Sequence, residues 1–372
     1  MEIRNQVAAL RQKRGLSAAG LAEAAGVTRQ TIYAIEAGSF VPNTVVALRL
    51  AQALQVSVED LFALPAAAAE PELPSENAVL LSGSDVPQPG QAVQLCQVEK
   101  VLIATAPSPV QWFFPASDAI VGSKPARGRR TRVNLSRPDE DFRNRILIAG
   151  CDPGLSVLAR HVQPSGAHLV LAHRNSSQAL RLLKEGSVHV AGTHLRDERS
   201  GESNIPEITR MFAKDAVAVV SFAVWEQGIL TAKGNPKAIR GIEDLNRADV
   251  CMVNRETGAG SRILLDVRLR RLKMDAKTVN GYQHLAAGHL AAAWMVRTGA
   301  ADCCIATRAA ARASGLDFTS LVTERYDLVL RRDHLNLPAV QALMNTLNRS
   351  GFRRELEGIG GYDTATSGSR ML

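Results

Sequence analysis

The sequence predicts a multidomain fold: an all-α head of five short helices, a small β-rich middle segment and an α/β back half. Three observations carry this. Within residues 1–64, Val7, Leu10, Leu21, Ala22, Val27, Ile32, Ile35, Val46, Leu50, Ala51, Leu54, Val56, Leu61 and Phe62 recur at three- and four-residue steps, which closes short helices on one small core. Over residues 65–90 the composition turns to Pro and Ala, with Pro65, alanines at 66–69, Pro71, Pro74, Pro87 and Pro89. After Arg145, short apolar runs alternate with helical stretches, the pattern of parallel strands joined by crossover helices. A chain of 372 residues is also too long for a single core.

In the head, Leu16-Ser17 opens one helix, Leu21-Ala22-Glu23-Ala24-Ala25 carries it, Gly26-Val27-Thr28 turns, and Arg29 to Glu36 forms the next. A helix ending at Gly26, a capping Thr28 and a short helix with Arg29, Gln30 and Thr31 on its first turn make a helix-turn-helix that places polar side chains in a major groove. Gly38 and Pro42 end that helix, and the fourth begins near Asn43 or Thr44. Residues 3–64 resemble the phage-repressor (Xre/Cro) helix-turn-helix family in Arg14-Gly15-Leu16-Ser17, Leu21-Ala22, Gly26-Val27-Thr28, Ile35-Glu36-Ala37-Gly38 and Leu50-Ala51-Gln52-Ala53-Leu54. The resemblance implies a double-stranded DNA operator as partner, contacted through Arg14, Ser17, Thr28, Arg29, Gln30, Thr31 and Tyr33. Arg29, Gln30 and Thr31 would face base edges, with Tyr33 near the backbone or a thymine methyl. The family usually has Gln after the capping Ser, where this chain has Ala18, so phosphate anchoring falls to backbone amides, Arg14 and Thr28. Arg suits guanine and Gln adenine, each bidentate pair giving about 1–3 kcal/mol of discrimination.

Residues 65–90 read as a linker, and 91–144 as a small β-rich subdomain built on Ala92-Val93-Gln94-Leu95, Val98 to Thr105 and Thr131 to Leu135. The net charge of +8 favours polyanions but is not concentrated in the head. Its densest run, Lys124, Arg127, Arg129, Arg130, Arg132 and Arg137, fits either contact with flanking phosphate or a solvated loop. Five cysteines with no C-x-x-C pair point to reduced thiols, and Cys303-Cys304 read as small residues on a buried strand. The eight histidines show no metal-binding spacing, so neither a metal nor a cofactor is expected. No apolar run nears the roughly 20 residues that span a bilayer. Met1 is followed by a charged helix rather than a signal peptide, and the expectation is a soluble cytoplasmic protein without membrane contact.

The back half places strands at Ile146 to Gly150, Ala167 to Leu171, Val188 to Gly192, Ala216 to Phe222, Val250 to Val253 and Asp302 to Ile305. Ligand crevices in such folds lie at the carboxyl ends of the strands. Three turns there carry anion-binding groups: Cys151-Asp152-Pro153-Gly154-Leu155-Ser156, Asn175-Ser176-Ser177, and Asn254 to Arg262. Hydroxyls and free N–H groups at a helix start cradle oxyanions. In the third turn Gly258 and Gly260 admit close backbone approach, while Ser261 and Arg262 add a donor and a cation.

Residues 145–363 resemble the periplasmic-binding-protein-like domain fused to helix-turn-helix readers, a relative of type II molybdate- and tungstate-binding proteins. The carrying segments are Ala149 to Pro153, Leu183 to Leu195, Gly201 to Asn204, Gly234 to Pro236, Val253 to Arg262, Gly299 to Asp302 and Glu324 to Leu328. Ser203 stands where an aromatic is common, and Gln283-His284 where acidic or polar residues are usual. The resemblance implies two lobes within 145–372, lobe one at 145–223 plus 322–372 and lobe two at 224–321, with hinges near 222–226 and 319–323. It also implies an effector in the cleft, held by Asp152, Ser176, Ser177, His194, Asn204, Asn254, Arg255, Thr257, Gly258, Gly260, Ser261, Arg262 and Tyr282. His289 reads as packing, and Trp225 as core or as a stacking surface for an organic ligand. The resulting expectation is a homodimeric, ligand-responsive repressor without catalytic residues, sensing a molybdate- or tungstate-like oxyanion. The alternatives are the same regulator with an organic effector, and an enzyme acting on such a molecule.

Overall fold

The computed structural model describes residues 4–63, 75–82, 87, 89–106, 116–126, 129–137, 141–197, 200–213 and 216–372. They divide into two compact units, 1–73 and 74–372.

The first unit runs β1 (Arg4–Asn5), α1 (Val7–Lys13), α2 (Ala18–Ala25), α3 (Arg29–Glu36), α4 (Thr44–Leu54), α5 (Val58–Leu61) and β2 (Phe62–Ala63), with β1 and β2 paired antiparallel. The starts of α2 to α5 each have their own cap, whereas α1, at Gln6, has no side-chain cap. Ser17 Oγ accepts from Gly20 N at 3.0 Å, Thr28 Oγ1 from Thr31 N at 3.1 Å and Asn43 Oδ1 from Val46 N at 3.0 Å, while Ser57 and Asp60 form a reciprocal capping box. Gly26 closes α2 at φ +68°, a left-handed conformation that a side chain would strain. Leu21, Ile32, Ile35, Leu50, Leu54 and Leu61 are fully buried together. Arg11 makes a bidentate pair with Glu36 at 2.6 and 3.0 Å, tying α1 to the end of α3.

The second unit opens with a closed barrel of β3 (Ser75–Leu80), β4 (Ala92–Val98), β5 (Val101–Thr105), β6 (Ala119–Val121) and β7 (Arg130–Leu135), in the order β3-β5-β4-β6-β7. β3 falls inside the stretch expected to be a linker and pairs with both β5 and β7. The β-rich segment therefore begins at residue 75, not 91; a single short strand between prolines gave too little alternation to stand out. The remainder of the expected linker, apart from 75–82, 87, 89 and 90, lies outside the described residues. The barrel is also not isolated from the back half. Arg145 Nη1 donates to Asp118 Oδ2 at 2.7 Å and to Leu95 O at 3.2 Å, and Cys96, Val98 and Ile103 share a core with Ala149, Val170 and Leu180.

The α/β half follows as β8 (Arg145–Gly150), α6 (Leu155–Val162), β9 (His168–His173), α7 (Ser176–Lys184), β10 (Val190–Thr193), α8 (Ile205–Met211), β11 (Val217–Thr231), β12 (Met252–Arg255), α9 (Gly260–Arg271), β13 (Leu285–Ala286), α10 (His289–Arg297), β14 (Cys303–Thr307), α11 (Arg308–Ser314), β15 (Asp317–Arg331), α12 (Pro338–Leu347), α13 (Ser350–Ile359) and β16 (Tyr362–Asp363). Strand order is β13-β12-β14-β11-β15-β10-β8-β9, with β16 on β11. β11 and β15 are antiparallel strands of 15 residues that run through both lobes. One half of the pair meets β10 through Gly192↔Leu328, and the other meets β14 through Ile229↔Ile305. Their register slips between Ser221 and Ala223 and again between Gln227 and Gly228, and such bulges re-aim side chains where the lobes join. α12 and α13 return to pack Val340, Leu343, Phe352 and Leu356 on Ile146, Ile148 and Phe222. Among the described residues no helix is long and apolar enough to cross a membrane.

Candidate functional site

On α3, Gln30 is exposed, and no hydrogen bond of its side chain lies within the described residues. Arg29 folds over Tyr33, with Nε and Nη2 at 3.2 and 2.9 Å from the phenol oxygen. The Thr31 hydroxyl sits 2.8 Å from that of Thr28, so it is partly engaged by the cap. Arg14 Nη1 donates to Gln55 Oε1 at 3.0 Å. Ser17 and Thr28 use their hydroxyls as helix caps. The first-turn side chains thus share one exposed edge, with Arg29 and Tyr33 oriented as a pair.

In the second unit, strands β8, β9 and β12 end in turns that open α6, α7 and α9, and β13 leads into α10. Asn175 caps α7, whereas α6, α9 and α10 begin at Gly154, Ala259 and Gly288 with no side-chain cap. Their first N–H groups carry the positive end of each helix dipole. The lobes touch across these turns. Asn175 Nδ2 donates to Glu256 Oε1 and to Thr257 O, each at 3.3 Å, and Gly258 at φ +91° leaves room for Asn175 and Ser177. Ser176 Oγ accepts from His194 N at 3.1 Å.

At the centre, His194 Nδ1 lies 3.0 Å from Glu324 Oε2, and Gln227 Nε2 donates to the same carboxylate. Ser261 Oγ donates to Gln227 Oε1 at 2.6 Å. The His194 ring packs edge-on to Trp225, with centroids 4.9 Å apart, and close to His289 and Tyr326. Burial opposes a charge on His194, but Cys151 and Glu324 outweigh it and push its pKa up to about 10. His289 moves the other way: burial, then the charges of Arg255 and His194, hold it well below the ordinary imidazole value. Burial also raises Asp152 to about 6, against hydrogen bonds to Oδ1 from Tyr362 Oη at 2.7 Å and Gly154 N at 2.6 Å.

Several buried polar atoms in this region have no hydrogen-bond partner among the described residues: Arg255 Nη1, Trp225 Nε1, Asp152 Oδ2 and both ring nitrogens of His289. Leaving such a group unsatisfied costs about 1–3 kcal/mol each, and binding a ligand is one way to recover it. Cys151, His194 and His289 also bring three donor atoms within 4.8 Å of one another. A cavity of about 170 Å³ reaches this region at His194, lined at that end also by Gly260 and Glu324, along α9 by Ile263, Leu264 and Val267, and elsewhere by Arg196, Arg268 and Arg271.

Not every expected contact faces this space. Arg262 Nη1 donates to Arg255 O at 3.0 Å, its guanidinium lies 3.9 Å over the Tyr282 ring, and Tyr282 Oη donates to Asp266 at 2.6 Å. Arg262 and Tyr282 thus brace each other within lobe two, with the Arg262 side chain directed from the first turn of α9 to Arg255 O and the Tyr282 ring. Asn254 Nδ2 holds Tyr282 O at 3.1 Å. Asn204 neither caps α8 nor keeps a free amide: Oδ1 accepts from Leu195 N at 2.6 Å, and Nδ2 donates to Asp327 Oδ2 at 2.8 Å. Ser177, His194, Thr257, Gly258, Gly260 and Ser261 do meet at the junction of the lobes, with Ser176 on His194 N and Arg255 paired to Glu256, while Asp152 is held within lobe one by Tyr362 and Gly154. Gln227 and Glu324 were missed, although a polar residue inside an otherwise buried strand was the available signal. Cys151, Trp225 and His289 needed the fold to bring them together.

Comparison with known proteins fits this layout. Residues 159–348 match the PBP superfamily domain and residues 7–61 a helix-turn-helix domain. YvgK of Bacillus subtilis (strain 168), an uncharacterized protein, is 30% identical over 251 residues, covering 67% of this chain and 81% of YvgK. The uncharacterized HTH-type transcriptional regulator YgzD of the same organism is 44% identical over 60 residues, 16% of this chain and 91% of YgzD. Among solved structures, the sulfate-binding protein SubI of Mycobacterium tuberculosis H37Rv is 17% identical with a TM-score of 0.44, covering 59% of this chain and 86% of SubI. With an Xre-type helix-turn-helix followed by a two-lobed α/β half, the chain belongs to the PBP superfamily domain family, in its form fused to a DNA-binding reader.

Proposed function

We propose that this chain is a homodimeric repressor of the cytoplasm that releases or grips its operator when a small oxyanion of the molybdate or tungstate class enters the interlobe cleft. The observation that carries the anion is Arg255 Nη1: a guanidinium nitrogen on a residue 1% exposed, with no acceptor among the described residues. Trp225 Nε1 adds a second buried donor beside His289, and the uncapped start of α9 adds backbone N–H groups at Gly260 and Ser261. Such donors suit an anion held by hydrogen bonds in a dry site. Sensing needs binding without turnover, so no residue is given a catalytic role. Closing of the lobes on the effector favours one conformation by its differential affinity, and in a dimer this would reset two recognition helices that must sit about 34 Å apart.

A second reading keeps the regulator and makes the effector an organic acid. The 170 Å³ cavity favours it, since Ile263, Leu264 and Val267 give an apolar wall beside Arg196, Arg268 and Arg271. The test is a melting-temperature screen of the full chain against molybdate, tungstate, sulfate, phosphate and small carboxylates. A binding anion raises the melting temperature by linkage. The oxyanion reading expects that rise to vanish in Arg255→Gln. A shift given by carboxylates alone, and lost in Arg268→Gln rather than Arg255→Gln, would replace it with the organic reading.

A further inference from the structure

Buried in the same cleft is a set of groups with the opposite chemistry to Arg255 and Trp225: three side chains offering lone pairs. We propose that Cys151, His194 and His289 form a binding site for one thiophilic divalent cation of the zinc class. The site goes beyond the anion reading and does not rest on it.

The three residues come from separate elements. Cys151 follows β8 and His194 follows β10, both in lobe one, while His289 begins α10 in lobe two. All three are buried, and one donor atom from each lies within 4.8 Å of the other two. His289 is the strongest single sign. At 1% exposure both of its ring nitrogens lack any hydrogen-bond partner among the described residues. Buried imidazoles are otherwise satisfied by a carbonyl, a carboxylate or water.

His194 has the complementary arrangement. Its Nδ1 is taken by Glu324 Oε2 at 3.0 Å, and Glu324 is itself held by Gln227 Nε2, which leaves Nε2 of His194 for an ion. A carboxylate behind the far nitrogen of a ligating histidine fixes the ring and raises its basicity, a recurring outer-shell device of metal sites. Glu324 is therefore a positioning residue here. Zinc binds sulfur at about 2.3 Å and imidazole nitrogen at about 2.0–2.1 Å, so tetrahedral donors sit roughly 3.5 Å apart. The present spacing, within 4.8 Å, asks for a contraction of at most about 1.3 Å. One thiolate and two imidazoles select a borderline-soft ion over magnesium or calcium, which require oxygen. The Cys151 thiolate and the Glu324 carboxylate together offset the two positive charges. Three protein donors leave a tetrahedral ion one open position, for water or a small anion.

The experiment uses the full chain stripped with a chelator and titrated with zinc by calorimetry and with cobalt by absorption. Expected are one ion per chain, a thiolate-to-cobalt charge-transfer band in the near ultraviolet, and no response to magnesium. Cys151→Ser should abolish the band, and His289→Ala should weaken zinc at least a hundredfold. Glu324→Gln should weaken it by about 10–100-fold while keeping the band, as outer-shell changes do. Operator binding by each variant serves as the check on folding of the reader, and circular dichroism as the check on the α/β half. Arg255→Gln separates the two readings: it should cancel the oxyanion shift without weakening zinc, since it removes a positive charge that acts on His289. Zinc affinity unaltered by Cys151→Ser and His289→Ala in folded protein, or cobalt binding without the thiolate band, overturns the proposal.

Discussion

A Cβ added to Gly260 would stand 2.3 Å from Cε1 of His194 and 2.5 Å from its Nδ1. His194 belongs to one lobe and Gly260 to the other, so the two lobes meet this closely only because position 260 carries no side chain. Gly260→Ala should leave each lobe folded, since Gly260 opens a helix without a left-handed backbone, and should hold the cleft apart. Overpacking of this kind costs typically about 1–3 kcal/mol, so effector affinity is expected to fall about 5–150-fold. Calorimetry measures the affinity, and small-angle scattering should show that the variant contracts less than the parent when effector is added. Wild-type affinity in this variant would separate closure from the His194–Gly260 contact.

Gln30 is the first-turn side chain of α3 with no internal hydrogen bond among the described residues, whereas Arg29 is already paired with Tyr33. Gln30→Ala should therefore lower operator affinity by about 1–3 kcal/mol and relax preference at a single base position. Arg14→Ala should weaken all duplexes alike and reduce the salt slope by about one. Fluorescence anisotropy over a salt series tells these outcomes apart. A salt slope that changes in Gln30→Ala but not in Arg14→Ala would invert their assignments.

The helix-turn-helix was legible because its determinants are local. Ser17, Thr28 and Asn43 each accept from an N–H three residues on, and Gly26 supplies the left-handed turn, all within one short window of sequence. The α/β alternation was legible for the same reason, since most apolar runs fall largely within a strand, but Ala216–Phe222 covers only the first half of β11, and β15, which lacks a compact apolar run at its start, was not among the expected strands. β3 was not, because Ser75–Leu80 becomes a strand only through partners at 101–105 and 130–135. The heart of the cleft was half legible. Strand-end turns pointed to Asp152, Ser176 and Gly260, but residue type alone could not show that Arg262 turns into lobe two while Arg255 is left with a free nitrogen. Cys151, His194 and His289 are separated by 43 and 95 residues and share no local spacing, so only the sheet order unites them.

Glu256 links the lobes by accepting from Asn175 and pairs with Arg255 Nε at 3.1 Å. Burial pulls its pKa upward, but the charge of Arg255 and the hydrogen bonds outweigh that and hold it below the ordinary 4.5. A carboxylate lowered in the folded state adds stability that is complete well above 4.5 and is lost as the pH falls through the folded value. Glu256→Gln should thus melt below the parent at pH 7 and converge with it near pH 3. Parallel melting curves across that range, with a constant gap, would mean that Glu256 acts through shape and not charge.

Ser261, Gln227, Glu324 and His194 form one chain of buried hydrogen bonds from lobe two, through both crossover strands, to lobe one. Removing the first donor in Ser261→Ala leaves Gln227 Oε1 buried without its partner, at a cost of about 1–3 kcal/mol. Glu324→Gln disturbs the same chain from its other end by removing the charge that faces His194. Groups in one network couple, so the double variant should cost less than the two single changes added together, by at least about 0.5 kcal/mol. Urea unfolding of the full chain, followed at the transition of the second unit, gives the three numbers. Strict additivity would mean that the lobes are joined at this point by independent contacts. Coupling would identify the element that transmits a change at His194 to the start of α9.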